Sequence, residues 1–208
     1  MEIEQELTKL VPQRETLLTI GVFDGVHAGH RYLIQNLTQR AKEKNLISGV
    51  VTFNPHPQWV LHPHKRLPWL SNLEDRVNKL HELGINLVAV LSFTPELASL
   101  SAREFVTLLK KYLKMRGLMI GHDFTLGRGR EGNANLLRSL GQEMGFSVET
   151  VSPFTVEGEV VSSTLIRQAL AQGDIVKVTK LMGRNFYLSG KVVSADKRGQ
   201  SLGGDWWK

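Results

Sequence analysis

Two histidines three residues apart are the side chains of this sequence best placed to do chemistry. They lie in residues 21–30, GVFDGVHAGH, where His27 and His30 follow an apolar run and a glycine turn. Imidazole N–H groups and free backbone amides can converge on phosphate oxygens whose negative charge grows in a transition state. The spacing therefore predicts a nucleotidyl-transfer site that needs no enzyme nucleophile. Zinc ligation and a purely structural role for the two histidines stay open, although a third zinc ligand is not evident.

The elements around the histidines predict how they are positioned. Residues 17–22 form a short, nearly continuous apolar run, as expected of a buried parallel strand. Gly21 and Gly25 allow the chain to turn sharply after it. Apolar residues at helical spacing follow over residues 33–41, which places both histidines in or beside the first turn of a helix. Free amides at such a helix start favour anions, which supports the phosphate interpretation.

Composition limits the class of protein. The chain has 208 residues, of which 41% are hydrophobic, enough to bury a full core in one main domain with a small appendage. Because there is no cysteine, disulfides, thiolate catalysis and cysteine-ligated zinc are excluded. The net charge of +6 suits polyanions, but the basic residues are dispersed. Small phosphorylated substrates explain the charge equally well, and nucleic acid is not expected as a partner.

The chain carries no sign of a secretory or membrane protein. Its first residues, MEIEQ, lack the basic and apolar regions of a signal peptide. Apolar runs such as residues 85–93 are too short to span a bilayer. We therefore expect a soluble, cytoplasmic protein that has no membrane partner.

Alternating strand and helix patterns predict the fold class. Strand-like runs over residues 46–53, 87–91, 118–120 and 148–151 alternate with helical patterns, which is typical of a parallel α/β sheet. In such sheets, ligands bind at the carboxyl ends of the strands. The loops that follow the strands are therefore the segments where functional residues are expected.

Two predicted helix starts carry the capping-box pattern, a hydroxyl residue followed three positions later by glutamate. They pair Ser71 with Glu74 and Ser101 with Glu104, each before apolar residues at helical spacing. We therefore expect helices to begin at these two serines.

Three further segments carry unusual residues after a predicted strand or at a helix start. Residues 52–58, TFNPHPQ, contain two prolines that stiffen the chain, so they can border a flat ligand or form only a rigid turn. Residues 121–133, GHDFTLGRGREGN, combine glycines with arginines and predict a mobile basic lid or a solvated loop. Residues 162–167, SSTLIR, can cap a helix or hold a triphosphate at its start.

A dinucleotide-binding fingerprint is formally present in residues 121–133, the third loop when the turn at residues 21–25 is counted as the first. Gly127, Gly129 and Gly132 have the required spacing, and Glu149 lies at a tolerable distance for a ribose carboxylate. We reject the match, because the glycines come several residues after the strand and late in the α/β pattern. The sequence also lacks a P-loop, which argues against a P-loop kinase.

The four motifs occur in an order that matches a known family. Residues 21–30, 52–57, 121–133 and 162–167 closely resemble the adenylyltransferase module of bacterial bifunctional riboflavin kinase/FAD synthetases, and the resemblance extends through Leu181. It implies a Rossmann-like parallel sheet of the HxGH nucleotidyltransferase superfamily. It also implies that ATP adenylates FMN to give FAD and pyrophosphate, with the FMN phosphate attacking the α-phosphorus of ATP.

The resemblance also implies roles for individual residues. His27, His30 and Arg167 would be catalytic, acting on the ATP phosphates and on the charge that develops in the transition state. The residues expected to bind ATP are Gly21, Phe23, Asp24, Gly25, His27, Gly29, His30, Ser163, Thr164 and Arg167. The residues expected to border the flavin are Asn54, Pro55, His56, Pro57, Asp123, Phe124 and Gly127. Mg²⁺ would bridge the ATP phosphates and keep several waters, without a cage of protein ligands.

Two positions in the third loop depart from the family pattern. Leu126 stands where a second aromatic residue is common, and Asn133 stands where an acid often follows the last glycine. These departures keep open a catalytically impaired protein that binds flavin or nucleotide. The other alternative is an HxGH nucleotidyltransferase with a different acceptor, such as nicotinamide mononucleotide, phosphopantetheine or glycerol phosphate.

The C-terminal residues depart more strongly from the family pattern. Residues 1–182 are expected to form the FMN adenylyltransferase domain, and residues 183–208 the linker and the truncated start of a β-barrel riboflavin kinase module. Residues 196–203 still resemble that module, but GDWWK at residues 204–208 replaces the expected Pro-Thr-Ala-Asn segment. We therefore expect FMN adenylylation without riboflavin phosphorylation in this chain.

Overall fold

A parallel β-sheet forms the centre of the structure. The computed structural model describes residues 2–64 and 67–188. The strands of the sheet are β1 (Thr16–Ile20), β2 (Ile47–Asn54), β3 (Leu87–Ser92), β4 (Met115–Gly121) and β5 (Ser147–Val151). All five run parallel, in the order β3-β2-β1-β4-β5. The predicted Rossmann-like α/β class is therefore confirmed.

Nine α-helices accompany the sheet within the described residues. They are α1 (Glu2–Thr8), α2 (Ala28–Glu43), α3 (Pro57–Leu61), α4 (Leu73–Glu82), α5 (Pro95–Ser99), α6 (Ala102–Leu113), α7 (Ala134–Met144), α8 (Ser163–Ala171) and α9 (Ile175–Met182). A short antiparallel hairpin, β6 (Thr155–Val156) and β7 (Glu159–Val160), comes between β5 and α8 in the chain. The predicted β-barrel remnant falls on residues 189–208, which lie outside the described residues.

Apolar clusters cover both faces of the sheet. Neighbouring residues of a strand point to opposite faces, and Leu17 and Leu18 of β1 are both fully buried. Leu18 belongs to the cluster that α1, α6 and α7 cover, whereas Leu17 belongs to the cluster that α2 and α4 cover. The strand reads as a nearly continuous apolar run because both of its faces are packed. A third cluster joins α8 and α9 to Leu70.

One predicted helix start is confirmed, and the other is wrong by one residue. Ser101 caps α6 in a full capping box with Glu104. Asn72 rather than Ser71 caps α4, its side chain accepting a backbone N–H of the first turn at 2.7 Å. The Ser71 hydroxyl instead accepts the backbone N–H of Gly25 at 3.0 Å. Ser71 is therefore used to hold the turn that follows β1.

The third loop, residues 121–133, is anchored over its second half. Leu126 and Gly132 exchange backbone hydrogen bonds of 3.1 and 2.9 Å. The Glu131 carboxylate accepts the backbone N–H of Ala102, at the start of α6, at 2.8 Å. The two arginine side chains of the loop are exposed. The expectation of a solvated loop therefore holds for these side chains, whereas the backbone is fixed against α6.

Gly127→Ala tests this anchoring, with Gly129→Ala as the matched control. Both glycines have positive φ, +76° and +64°, but a Cβ on Gly127 would lie 2.6 Å from the backbone nitrogen of Ala102, whereas one on Gly129 meets nothing within 4 Å. We expect Gly129→Ala, at ψ of 14°, to cost about 1 kcal/mol of backbone strain. Gly127→Ala should cost about 2 kcal/mol more, because it adds the contact with Ala102 and because a ψ of 170° at this φ is less open to alanine. Urea unfolding measures both variants, and equal losses would contradict the anchoring.

Candidate active site

The turn between β1 and α2 is built from left-handed backbone. Phe23, Gly25 and Val26 have φ angles of 54°, 76° and 40°. Such a conformation is natural for glycine but costs a larger residue about 1–2 kcal/mol. Phe23 and Val26 are buried, so their packing helps to hold the strained conformation. The turn sets the direction in which α2 leaves the sheet, and with it the position of His27 and His30.

Asp24, within this turn, is a buried carboxylate that joins three parts of the chain. It accepts the backbone N–H of Leu70 at 3.0 and 3.1 Å and that of Ser71 at 3.2 Å. It also pairs with the guanidinium of Arg167 on α8. Burial raises the pKa of Asp24, while the Leu70 N–H and the charge of Arg167 oppose that rise. These contacts make Asp24 the residue that holds the turn, and its contact with ATP stays a prediction.

Two further hydrogen bonds fix the backbone of the turn. The Ser163 hydroxyl donates to the carbonyl oxygen of Asp24 at 3.2 Å. The guanidinium of Arg184 donates to the carbonyl oxygen of Gly25 at 2.6 Å. Ser163 is the first residue of α8, and Arg184 follows the end of α9. The turn is therefore tied both to α8 and to the segment after α9.

His27 caps α2 and stacks on His30. The Nδ1 atom of His27 accepts the backbone N–H of His30 at 3.3 Å. Because Nδ1 accepts, the neutral ring carries its proton on Nε2. The planes of the two rings differ by 15°, and their centroids are 3.6 Å apart. The prediction that both histidines lie in or beside the first turn of a helix is confirmed.

Both imidazoles are neutral in this environment. Burial and the nearby charges of Arg167 and Arg184 lower the pKa of His27 to about 3. Burial and the neighbouring His27 hold the pKa of His30 well below its usual range. The Nδ1 atom of His30 is buried and has no hydrogen-bond partner among the described residues.

Arg76 of α4 is a buried cation at this site that the sequence analysis missed. Its guanidinium donates to the carbonyl oxygens of Val22 at 3.0 Å and Phe53 at 3.1 Å, and so connects the ends of β1 and β2. It also lies 4.6 Å from the ring centroid of Trp69. The available signal was its spacing of one turn before Leu80, on the buried face of α4, where a charged side chain needs a partner.

The charges around the histidines create a positive field. Arg167 and Arg184 act on His27, and Arg76 acts on His30, each of them lowering the pKa of the ring. A field that opposes a proton on an imidazole favours an anion at the same place. Within the described residues, no group of three histidine or acidic side chains is placed to hold a metal ion. The arrangement therefore fits phosphate oxygens better than it fits zinc.

The histidines line a cleft of about 290 Å³ at the carboxyl ends of β1 and β4. From β1 the strand order proceeds to β2 on one side and to β4 on the other, so the cleft lies where ligands bind in such sheets. Tyr32 and Phe154, which were not predicted, form part of its wall with ring centroids 5.4 Å apart. The other predicted residues that line it are Gly21, Phe23, Gly29, Asp123, Phe124 and Ser163.

The second motif lies at the neighbouring strand end, outside the lining of this cleft. Asn54 and Pro55 are exposed at the end of β2. The buried His56 caps α3, which begins at Pro57, by accepting a first-turn N–H at 3.1 Å. Burial and the charge of Arg167 lower the pKa of His56 to about 4. The cap gives this loop a structural role, and its contact with a flavin stays a prediction.

Five other predicted residues are not part of the cleft lining, namely Asp24, Gly25, Thr164, Arg167 and Gly127. Arg167 is held by Asp24 and by the carbonyl oxygen of Pro68, to which its Nε donates at 2.9 Å. Thr164 is exposed in the first turn of α8. Gly127 lies against the backbone of α6, which explains a glycine there without any ligand. Their contacts with a substrate stay predictions.

Glu149 has a structural use. It pairs at 3.0 Å with Arg40, on α2, and at 2.6 Å with Lys44, which caps the C-terminus of that helix. A carboxylate engaged by two cations is not available to a ribose. This pairing supports the rejection of the dinucleotide-binding fingerprint.

Comparison with known proteins decides the family. A family model described as FAD synthetase matches residues 10–165, which include the turn after β1 and the cleft. The chain belongs to the FAD synthetase family. The first three motifs lie within the matched residues. Arg167 and Arg184 lie beyond them.

Relatives of known description share the same assignment. The bifunctional riboflavin kinase/FMN adenylyltransferase of Escherichia coli strain K12 is 38% identical over 193 residues, which is 92% of this chain and 62% of the relative. The protein of the same description from Bacillus subtilis strain 168 is 34% identical over 193 residues, 92% of this chain and 60% of the relative. The chain therefore spans about three fifths of the length of these curated relatives.

A solved structure shares the fold. A crystal structure described as a macrolide-efflux protein from Streptococcus pneumoniae has a TM-score of 0.85 at 28% sequence identity, over 98% of this chain and 65% of that one. Among the residues that the structure describes, no helix is long and apolar enough to cross a membrane.

The buried histidines should make the protein less stable in mild acid. The His27 ring takes up its proton near pH 6.5 in the unfolded chain but only near pH 3 in the folded one, so the unfolded state binds the proton first as the pH falls. His30 and His56 act in the same direction. The stabilisation is present above pH 6.5 and is lost as the pH falls from there towards pH 3, by about 1.4 kcal/mol per pH unit for His27.

Urea unfolding across this pH range measures the loss. His27→Asn keeps a side-chain oxygen that can cap α2 but removes one buried imidazole, so its free energy of unfolding should depend less steeply on pH. Identical slopes in the wild type and the variant would contradict a buried, neutral His27.

Proposed function

We propose that this chain transfers the AMP moiety of ATP to FMN, giving FAD and pyrophosphate. The FMN phosphate oxygen forms a bond to the α-phosphorus of ATP while the bond to the leaving pyrophosphate breaks. The observation that carries the proposal is the stacked, neutral pair of His27 and His30 at the start of α2, lining a cleft with a positive field. Membership of the FAD synthetase family supports the same reaction.

The start of α2 suits the ATP phosphates. Backbone N–H groups in the first turn have no intrahelical partner, and the helix dipole favours negative charge there. His27 adds an Nε2–H donor whose tautomer is set by the hydrogen bond at Nδ1. Because the ring is already neutral and held by the stack on His30, it can donate to the growing charge without reorganising.

A second helix start borders the same cleft. Ser162 caps α8 by accepting a first-turn N–H at 3.2 Å, and Ser162 and Ser163 both line the cleft. The free amides of this turn, which includes Thr164, are available to the phosphates of the same nucleotide. Arg167 contributes a positive charge that already acts on His27. The two helix starts would therefore hold the triphosphate between them.

Two glycines let the nucleotide come close to the backbone. Gly21 and Gly29 line the cleft. A Cβ at Gly21 would come within 3.0 Å of the Phe23 ring, and one at Gly29 within 3.3 Å of the His27 ring. Gly25, which does not line the cleft, would serve ATP binding by shaping the turn. Glycine at these two positions therefore leaves room for the rings of Phe23 and His27 beside the phosphate-binding turn.

FMN is proposed to bind between the third loop and the end of β2. Asp123 and Phe124 line the cleft, and Phe124 also packs against the main apolar cluster, so its ring has a fixed support for a flavin. Asn54 stands at the end of the neighbouring strand, and the rigid loop from Pro55 to Pro57 follows it. No general base is required, because the phosphate of FMN is already anionic near neutral pH.

Mg²⁺ is proposed to bind with ATP, where it would neutralise phosphate charge and keep most of its water ligands. The site suits a metal ion that is held by the ATP phosphates. Its buried carboxylate, Asp24, is already engaged by the Leu70 and Ser71 amides and by Arg167. The residues of the cleft then act by orienting the phosphates. Since ATP and FMN are small soluble substrates, the cytoplasm is the proposed location.

The two departures from the family pattern have structural explanations. Leu126 is buried in the main apolar cluster, with 9% of its surface exposed. Asn133 caps α7 by accepting two backbone N–H groups at 3.0 and 3.1 Å, a role that aspartate fills equally well. Neither residue requires a loss of flavin binding. Packing and helix capping therefore account for both departures.

The purified chain should make FAD and pyrophosphate from FMN, ATP and Mg²⁺. Chromatography of the flavin and a pyrophosphate assay measure the two products. Riboflavin in place of FMN is the control, because it lacks the phosphate that attacks the α-phosphorus of ATP. Turnover of nicotinamide mononucleotide, phosphopantetheine or glycerol phosphate instead of FMN would contradict the proposed acceptor. FMN binding without FAD formation would indicate the impaired protein.

His27→Asn should lower turnover while sparing FMN binding. The variant can still cap α2 but loses the Nε2–H donor, and the loss of one such donor costs about 10²–10³ in kcat. His62→Asn, at an exposed position outside the cleft, is the control. Equal relative losses in kcat and in FMN affinity would show that His27 has only a structural role.

A further inference from the structure

We propose that Arg184 is a positioning residue for the turn after β1, so that the segment following α9 is a working part of the adenylyl-transfer site. The inference rests on the proposed function for its kinetic readout. It assigns a role to a residue beyond residues 10–165, the part of the chain that the family model matches. It also extends the nucleotide-binding unit past residue 182, the boundary expected from the sequence.

The contacts of this segment converge on the two ends of the histidine motif. The guanidinium of Arg184 donates to the carbonyl oxygen of Gly25 at 2.6 Å. In the opposite direction, the guanidinium of Arg31 on α2 donates to the carbonyl oxygen of Gly183 at 3.0 Å. Gly25 comes two residues before His27, and Arg31 comes one residue after His30. The segment therefore brackets the histidine pair.

A contact at Gly25 can affect the position of His27 because the backbone is strained there. Gly25 and Val26 have φ of 76° and 40°, so the chain passes through consecutive left-handed residues just before His27. The N–H of Gly25 is held by Ser71, and its carbonyl oxygen is held by Arg184. Without Arg184, the peptide group between Gly25 and Val26 loses its hydrogen bond to a side chain. Strained turns persist only where the surrounding structure determines them from several sides.

Arg184 is itself well supported. It follows Leu181 and Met182, which are almost fully buried, so its backbone leaves a rigid base. Its guanidinium carbon lies 5.8 Å from the ring centroid of Tyr187, and the ammonium of Lys79 on α4 lies 5.0 Å from the same ring. The cation–π contacts hold the segment between α4 and the turn.

Electrostatics supports the same assignment. The charge of Arg184 is one of the influences that lower the pKa of His27. The facing groups are the guanidinium of Arg167 from α8 and the stacked ring of His30. Arg184 therefore acts on His27 both by fixing the backbone before it and by opposing its protonation. A residue with only a packing role would not oppose the protonation of His27.

Arg184→Gln tests the proposal, with Arg184→Lys as the conservative variant and Arg103→Gln as the control. Arg103 pairs with Glu143 at an exposed position and has no part in the site. We expect Arg184→Gln to lower kcat about tenfold or more, to weaken binding of ATP with Mg²⁺, and to leave the KM for FMN within about twofold. The His27 pKa, followed by NMR of the ring, should rise in Arg184→Gln and change less in Arg184→Lys.

The controls separate positioning from stability. The thermal midpoint of Arg184→Gln should fall by no more than a few degrees, since it loses one part-buried hydrogen bond, whereas Arg103→Gln loses two exposed ones. Unchanged kcat, ATP affinity and His27 pKa would overturn the proposal. Losses in kcat and in FMN binding that follow the fraction unfolded, with no change in the His27 pKa, would overturn it too.

The failure of the proposed function can be told apart from the failure of this inference. If the wild-type chain makes no FAD, the proposed function is wrong, but calorimetry of ATP binding and the His27 pKa still report on Arg184. Weaker ATP binding and a raised pKa in Arg184→Gln would then support a positioning role in a nucleotide site with another acceptor. Unchanged values in that case would overturn both.

Discussion

The structure depends on one buried carboxylate holding a left-handed turn. Asp24 joins the turn after β1 to the Leu70–Ser71 backbone and to Arg167 on α8, segments that lie 46 to 143 residues away in sequence. The turn determines where α2 begins, and the start of α2 determines where the histidines point. A buried carboxylate is expensive unless it is paired and hydrogen-bonded, and the two backbone N–H groups and the guanidinium of Arg167 meet both needs.

The same burial that makes this arrangement rigid also sets its chemistry. Enclosed by protein and by three guanidinium groups, His27 and His30 are neutral and present fixed N–H donors rather than mobile charges. In the proposed function, phosphates add negative charge beside these guanidinium groups, so that substrate binding and electrostatic relief coincide. A site of this kind stabilises developing charge through preorganised dipoles, and it does not need a nucleophile or a proton acceptor of its own.

Local patterns in the sequence predicted the parallel sheet, the strand–turn–helix around the histidines and the capping box at Ser101. The third and fourth motifs could be placed at the same edge of the sheet, because carboxyl ends of parallel strands lie together. Sequence analysis missed Arg76, Arg184 and the contact of Glu131 with α6, since each joins segments far apart in the chain. The helical spacing of Arg76 places it on the buried face of α4 but does not reveal its partners. Such contacts become visible only when the fold brings the segments together.

The most direct test of the account is the response of the two histidine rings to ATP. NMR of the ring protons of His27 and His30, recorded as ATP and Mg²⁺ are added, reports whether the phosphates reach them. We expect both sets of resonances to shift together, and the pKa of His27 to rise from its low value, because bound phosphate places negative charge beside the ring. ATP binding that leaves both rings unchanged would contradict the account.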